Sequence, residues 1–103
     1  MTVYVDDMYK VPMGKFGRLK MSHMMADTSE ELMAMAEAIG VQRKWLQHAG
    51  RPDEHFDIAM SKRAEAVSRG AVEISMRDMA RMNMEKRRSF VEEKRRRDAA
   101  KEK

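Results

Sequence analysis

The sequence predicts a small single α/β domain: a mixed sheet of about four short strands, packed with two to three helices and followed by a long C-terminal helix. Two observations carry this prediction. Stretches in which apolar and polar residues alternate, as in half-buried strands, occur near residues 2–8, 18–27 and 71–75. Between them lie stretches with the apolar spacing of helices, one of them preceded by a capping motif.

The first half of the chain is predicted to form two strands joined by a loop, followed by a helix. A strand begins almost at the first residue and ends in the carboxylate pair Asp6-Asp7. Residues 10–17, which contain one Pro and two Gly, are predicted to form a loop, and a second strand follows over residues 18–27. Thr28 and Glu31 form a capping box, and the helix that they start is expected to stop at Gly40.

The second half is less regular. Residues 41–48 fit a short buried strand or a turn of helix. A second helix is predicted from about Pro52 to Arg69, because Pro suits a first helical position and acidic residues suit a first turn. After a strand at residues 71–75, Ser75 is predicted to cap a third helix. We therefore divide the chain into an α/β domain, residues 1–75, and a basic, Met-rich helix, residues 76–103, frayed or disordered after about residue 92.

The totals narrow the function classes. The chain has no Cys, so disulfides and thiolate metal sites are excluded. It has neither an apolar run of about 20 residues nor a signal-peptide pattern, so we expect a cytoplasmic protein without a membrane partner. The net charge of +4 is uneven: residues 76–103 hold eleven Lys and Arg against six Asp and Glu.

Four blocks of sequence carry a resemblance to a known family. They are VYVDDM at residues 3–8, GRLKMSHMMAD at 17–27, HFDIAMSKR at 55–63 and GAVEI at 70–74. Over roughly residues 2–75 the chain resembles domain-of-unknown-function family 4031, which is found in bacteria and their phages. The resemblance implies a bacterial or phage protein, in the host cytoplasm if phage-encoded. It supplies no activity and no catalytic residues.

The block at residues 55–63 concentrates reactive side chains and is interpreted as an amphipathic helix with Asp57 and Ser61 one turn apart. We expect this block to form one wall of a pocket that binds an anionic nucleotide-like or nucleic-acid ligand. Arg and Lys would hold phosphate, and an aromatic ring would stack on a base. The candidate ligand-binding residues are Tyr4, Arg18, His23, Trp45, His55, Asp57, Ser61, Lys62 and Arg63.

A metal-dependent nuclease or phosphohydrolase is the alternative. Carboxylates suit Mg²⁺ or Mn²⁺, and imidazole shifts the preference toward Mn²⁺ or Zn²⁺. The candidate metal ligands are Asp6, Asp7 and Asp27, together with His23, His55 and Asp57. No diagnostic metal spacing is present, and a Ser61 nucleophile is the weaker reading, so catalysis stays open.

The C-terminal segment allows two further readings, an interaction with nucleic acid and self-assembly. Its basic clusters suit phosphate contacts, although a solvated helix with paired charges would have the same composition. The clusters comprise Lys86, Arg87, Arg88, Lys94, Arg95, Arg96 and Arg97. Four methionines, Met76, Met79, Met82 and Met84, are the candidate seam of a homodimer, which would make the protein an interaction module with a basic helix.

Overall fold

The computed structural model describes residues 2–12, 15–16 and 19–101, and it confirms a small α/β fold with a mixed sheet and a long C-terminal helix. The strands are β1 (Val3–Val5), β2 (Lys15–Phe16), β3 (Leu19–Ala26), β4 (Phe56–Ala59) and β5 (Val72–Glu73). The helices are α1 (Ser29–Ile39), α2 (Met60–Ser68) and α3 (Met76–Lys101), and two short 3₁₀ turns span Met8–Lys10 and Arg43–Trp45.

Strand β3 is the centre of the sheet. Its residue Met24 pairs with Val5 of β1 and with Phe56 of β4, so the two strands flank β3 on opposite sides, both antiparallel to it. Strand β2 pairs antiparallel with the start of β3, and β5 pairs in parallel with β1. This mixed pairing fits the predicted sheet class, with one more short strand than expected.

The two faces of the sheet have different partners. Side chains alternate along a strand, so Ser22, Met24 and Ala26 of β3 share one face and His23 and Met25 the other. The first face packs against α1 and α2 in a core that includes Val3, Val5, Met24, Leu32, Ile39, Phe56, Ile58 and Ala66. The second face carries the polar residues that form the candidate site.

The predicted helix caps are confirmed. Thr28 Oγ1 accepts a hydrogen bond from the Glu31 N–H and donates one to the Glu31 carboxylate. Gly40 ends α1 in the left-handed conformation, at φ +79°. The Ser75 hydroxyl accepts the Asp78 N–H at the start of α3.

The helix predicted from Pro52 to Arg69 is wrong in its first half. Residues 56–59 form strand β4, and α2 begins only at Met60. Phe56 and Ile58 are buried while Asp57 and Ala59 are half-buried, which is the two-residue period of a strand. The free edge of β3 offers backbone hydrogen bonds to this segment, and pairing with β3 outweighs the local preference for a helix. Asp57 and Ser61 are therefore not neighbours on a helix. The loop predicted at residues 10–17 likewise contains a strand, β2.

Helix α3 packs on the domain only through its first turns. Met79 is buried, and Met76, Met82, Asn83 and Lys86 are half-buried, whereas every residue from 87 to 100 is exposed. The helix continues to Lys101 without an apolar face. No helix in the described part of the chain combines the length and the apolarity that crossing a membrane requires.

Truncating Phe56 tests strand β4. Its side chain is 0% exposed at the centre of the core, so we expect Phe56→Ala to lower the free energy of unfolding by about 3–5 kcal/mol. Phe90→Ala is the matched control, because Phe90 is 41% exposed on α3, and we expect it to cost about 1 kcal/mol or less. Urea unfolding of both variants measures the difference. Equal losses would contradict the position of Phe56 in the core.

Candidate metal centre and adjoining pocket

Two histidines and one carboxylate converge on the face of the sheet away from the core. His23 of β3 lies directly opposite Asp57 of β4, and His55 precedes Asp57 by two residues on the same face. Asp57 Oδ1 is 3.7 Å from His23 Nε2 and 3.6 Å from His55 Nε2. The three atoms lie within 4.8 Å of one another, the one such group of His and acidic residues within the described ranges.

Each histidine is oriented by a hydrogen bond from its other ring nitrogen. His23 Nδ1 lies 2.7 Å from Asp6 Oδ2, and His55 Nδ1 lies 2.8 Å from the carbonyl oxygen of Asp53. A proton on Nδ1 serves both contacts and leaves the Nε2 lone pair of each ring directed at Asp57. Histidines that bind metal ions are held by carboxylates and carbonyls in the same way.

The Asp57 carboxylate is also fixed, but from one side only. Gln47 Nε2 donates a 2.7 Å hydrogen bond to Asp57 Oδ2. Gln47 is held there by a backbone bridge to His55, the residue that completes the site. Asp57 Oδ1 is buried and has no hydrogen-bond partner within the described structure. An unsatisfied buried oxygen costs about 1–3 kcal/mol, and a bound cation would remove that cost.

Asp6 links the site to strand β1. Its side chain is 1% exposed, and Oδ1 accepts the backbone N–H groups of Met8 and His23. Burial alone would raise the pKa of Asp6, but the hydrogen bonds from His23 and Met8 outweigh it and lower that pKa. The hydrogen bond to Asp6 in turn raises the pKa of His23, with the negative charges of Asp6 and Asp57 acting in the same direction.

The spacing suits a transition-metal ion. Bonds of about 2.0–2.1 Å in a tetrahedral site place ligand atoms about 3.3 Å apart, so the two distances to Asp57 Oδ1 need to shorten by only a few tenths of an ångström. The two histidine Nε2 atoms lie within 4.8 Å of each other, so the rings need to approach by up to about 1.5 Å when an ion binds. Two imidazoles and one carboxylate favour Zn²⁺, Mn²⁺ or Fe²⁺ over Mg²⁺, and they leave coordination positions open for water or substrate.

A pocket of about 550 Å³ adjoins this site. Asp57 and Gln47 form its wall toward the histidines, and Lys62 and Trp45 lie among its other lining residues. Trp45 is 61% exposed; the Lys44 ammonium lies 5.2 Å from the centre of its ring, which leaves one face for stacking. A pocket of this size is within the range of small-molecule sites, about 300–1,000 Å³. A smaller cavity of about 190 Å³ lies on the histidine side, under the first turns of α3.

The other predicted ligand residues do not join this site. Arg63 is 7% exposed, and its guanidinium donates to the carbonyl of Asp6 and to Glu73 and lies over the Tyr9 ring. These contacts make Arg63 a structural residue. Ser61 is exposed on α2, and Arg18 lies outside the described residues.

The predicted metal carboxylates are separated as well. Asp6 supports His23 and does not face the Nε2 atoms, and Asp7 Oδ1 accepts the Met76 N–H at the start of α3. Tyr4 and Asp27 line a different pocket, together with Lys86. Burial lowers the pKa of Lys86, whose ammonium donates to the Ala26 carbonyl.

The basic and Met-rich residues of α3 also divide. All the predicted nucleic-acid residues except Lys86 are exposed. Of the four methionines predicted to form a dimer seam, Met79 is buried and Met76 and Met82 line pockets of the domain, while Met84 is 67% exposed. Three of the four methionines therefore pack against the domain of the same chain, and dimerisation stays a prediction.

Sequence reasoning missed two groups that shape the site, Gln47 and the carbonyl of Asp53. Gln47 was hard to single out, because its side chain is uncharged; the one hint was its position two residues after Trp45. A backbone carbonyl carries no side-chain signal at all. His48, which pairs with Asp53 Oδ2 at 2.7 Å and is 5.5 Å from His55 between ring centroids, was also not singled out.

One comparison with known proteins finds a match. Residues 3–86 match a family model described as protein of unknown function (DUF4031). No curated protein and no solved structure matches the chain. The matched range covers the whole sheet, all residues of the candidate metal centre and the first turns of α3.

The Asp6–His23 pair predicts a pH dependence in metal-free protein. Because the pKa of Asp6 is lowered in the folded state, its ionised carboxylate stabilises the fold above about pH 4, and this contribution is lost as the pH falls through the pKa of the folded state. Because the pKa of His23 is raised in the folded state, its protonated ring stabilises the fold below about pH 6.5, and this contribution is lost as the pH rises through the pKa of the folded state. We expect the stability gap between wild type and Asp6→Asn to be widest between about pH 4 and 6.5. Urea unfolding with a chelator measures it, and a gap independent of pH would contradict the pairing.

Proposed function

We propose that this chain, which belongs to the family of proteins of unknown function DUF4031, is a metal-dependent hydrolase acting on the phosphate ester of a nucleotide-like ligand. One observation carries the proposal: the buried, unpartnered Asp57 Oδ1 faces the free Nε2 atoms of His23 and His55. The predicted alternatives differ in the residues they need. Three of the six predicted metal ligands, His23, His55 and Asp57, converge. Asp6, Asp7 and Asp27 do not, and Arg63 of the purely cationic pocket is bound to Glu73.

The metal ion would supply the chemistry. A divalent ion held by these three residues would activate a water molecule and polarise a phosphoryl oxygen of the substrate. The overall reaction would add water to phosphorus and break the P–O ester bond, with the proton released from the water balancing the one taken up by the leaving oxygen. Asp6, Gln47 and the Asp53 carbonyl hold the ligands in place, which reduces the reorganisation needed when the metal binds.

The adjoining pocket supports a nucleotide-like ligand. The Lys62 ammonium provides a positive charge for phosphate, and the exposed Trp45 ring provides a surface on which a base stacks. Because Asp57 is part of both the pocket wall and the metal group, a phosphate held by Lys62 would lie next to the metal ligands.

Metal affinity is the first test. We expect the chelator-treated full chain to bind Mn²⁺ or Zn²⁺, and His55→Ala and Asp57→Asn to weaken binding at least about tenfold. Asp98→Asn is the matched control for Asp57→Asn, since Asp98 is an exposed carboxylate on α3 outside the ligand group, and it should bind as wild type does. Isothermal titration calorimetry gives the four affinities, of wild type and of the three variants. Wild-type affinity in Asp57→Asn would overturn the metal site.

Hydrolysis is the second test, with mono-, di- and cyclic nucleotides and Mn²⁺ or Zn²⁺. We expect phosphate-ester cleavage that requires the metal, and we expect Lys62→Ala to raise KM several-fold with kcat nearly unchanged, because a pocket cation contributes mainly to binding. Lys10→Ala removes the same charge from an exposed position as the control. Nucleotide binding without turnover would refute hydrolysis and leave the pocket as a binding site.

A further inference from the structure

Four arginines of α3 lie in one row along the helix. They are Arg77, Arg81, Arg88 and Arg95, and we call them the arginine stripe. Their spacings of four, seven and seven residues keep them within about 40° of arc at about 100° per residue. The row is about 27 Å long at about 1.5 Å per residue. It begins at the first turn of α3 and reaches beyond the packed part of the helix.

The stripe has no partner within the chain. All four arginines are exposed, and none makes an ion pair in the part of the chain that the structure describes. Glu85 and Glu92 lie beside the stripe on the helix, yet neither closes an ion pair with it. Arg63 shows the contrast, since its guanidinium is buried and satisfied by Glu73 and a carbonyl.

We propose that the arginine stripe is a docking surface for the phosphate backbone of duplex nucleic acid. A guanidinium forks across phosphate oxygens with two hydrogen bonds, and a duplex presents about one negative charge per 1.7 Å of its axis. A row of four guanidinium groups about 27 Å long on one side of a helix can contact several phosphates of one duplex. The contacts are to the backbone, so binding is independent of base sequence.

Two other occupants fit the stripe less well than a duplex. A second copy of α3 on this face would bring arginines against arginines in either orientation. A membrane surface needs an apolar face to insert between lipids, and beyond residue 86 the helix offers only Phe90, Val91 and two alanines.

The stripe is separate from the candidate metal centre. Met79 and Lys86 mark the side of α3 that packs on the domain, and the stripe lies on the opposite side of the helix. A duplex on the stripe would therefore not occupy the pocket beside Asp57. This inference holds whether or not the pocket hydrolyses nucleotides, and it is tested in the presence of a chelator.

The test compares two variants of the full chain with equal charge. One replaces the stripe (Arg77→Gln, Arg81→Gln, Arg88→Gln and Arg95→Gln). The other replaces four exposed cations elsewhere on α3 (Arg87→Gln, Lys94→Gln, Arg96→Gln and Arg97→Gln). Both lose four positive charges and keep good helix formers. Binding of a fluorescent 20-base-pair DNA duplex is measured by anisotropy from about 50 to 200 mM salt, the range over which counterion release is resolved.

We expect wild type to bind the duplex with a salt slope of about −3 to −4, as four phosphate contacts predict. The stripe variant should lose at least about tenfold in affinity, and the control variant should lose much less, since its cations point to other sides of the helix. Equal losses in both variants would overturn the proposal, because binding would then follow net charge alone. So would the absence of duplex binding at low salt, or tighter binding to anionic lipid vesicles than to the duplex.

Discussion

The pairing of β3 with β4 is the interaction on which the rest of the structure depends. Its register sets His23 against Asp57 on one face and Met24 beside Phe56 on the other, so the same ladder builds the candidate site and the core. A shift by one residue would exchange the two faces, burying Asp57 and exposing Phe56. The core therefore specifies the geometry of His23 and Asp57, which lie on paired strands, while His55 precedes β4 and is held by a single backbone bridge to Gln47.

Local signals explain which elements the sequence predicts well. The capping box at Thr28 and the stop at Gly40 depend on residues within one helix, and both are confirmed. The segment 55–59 fails because its partner, β3, is about thirty residues away, and Pro52 offers a plausible helix start nearby. Propensity cannot foresee that an unpaired strand edge will recruit the segment.

The candidate site shows the same division. Residue chemistry alone picked out six potential metal ligands, and the fold brings three of them together, His23, His55 and Asp57. It could not tell a ligand from a support: Asp6 stands one hydrogen bond behind His23, and Arg63 is buried for structural reasons. Which atom faces which is decided by tertiary hydrogen bonds that have no counterpart in residue spacing.

Asp6 and Asp7 are adjacent, but they serve different neighbours: one steadies His23, and the other receives the first N–H of α3. The end of β1 thus connects the polar face of the sheet to the helix that covers it. The family match ends at residue 86, which is also the last residue of α3 that packs on the domain. The natural boundary for a minimal folding unit is therefore near Lys86, and a chain shortened to Ser75 would uncover the histidines along with removing the tail.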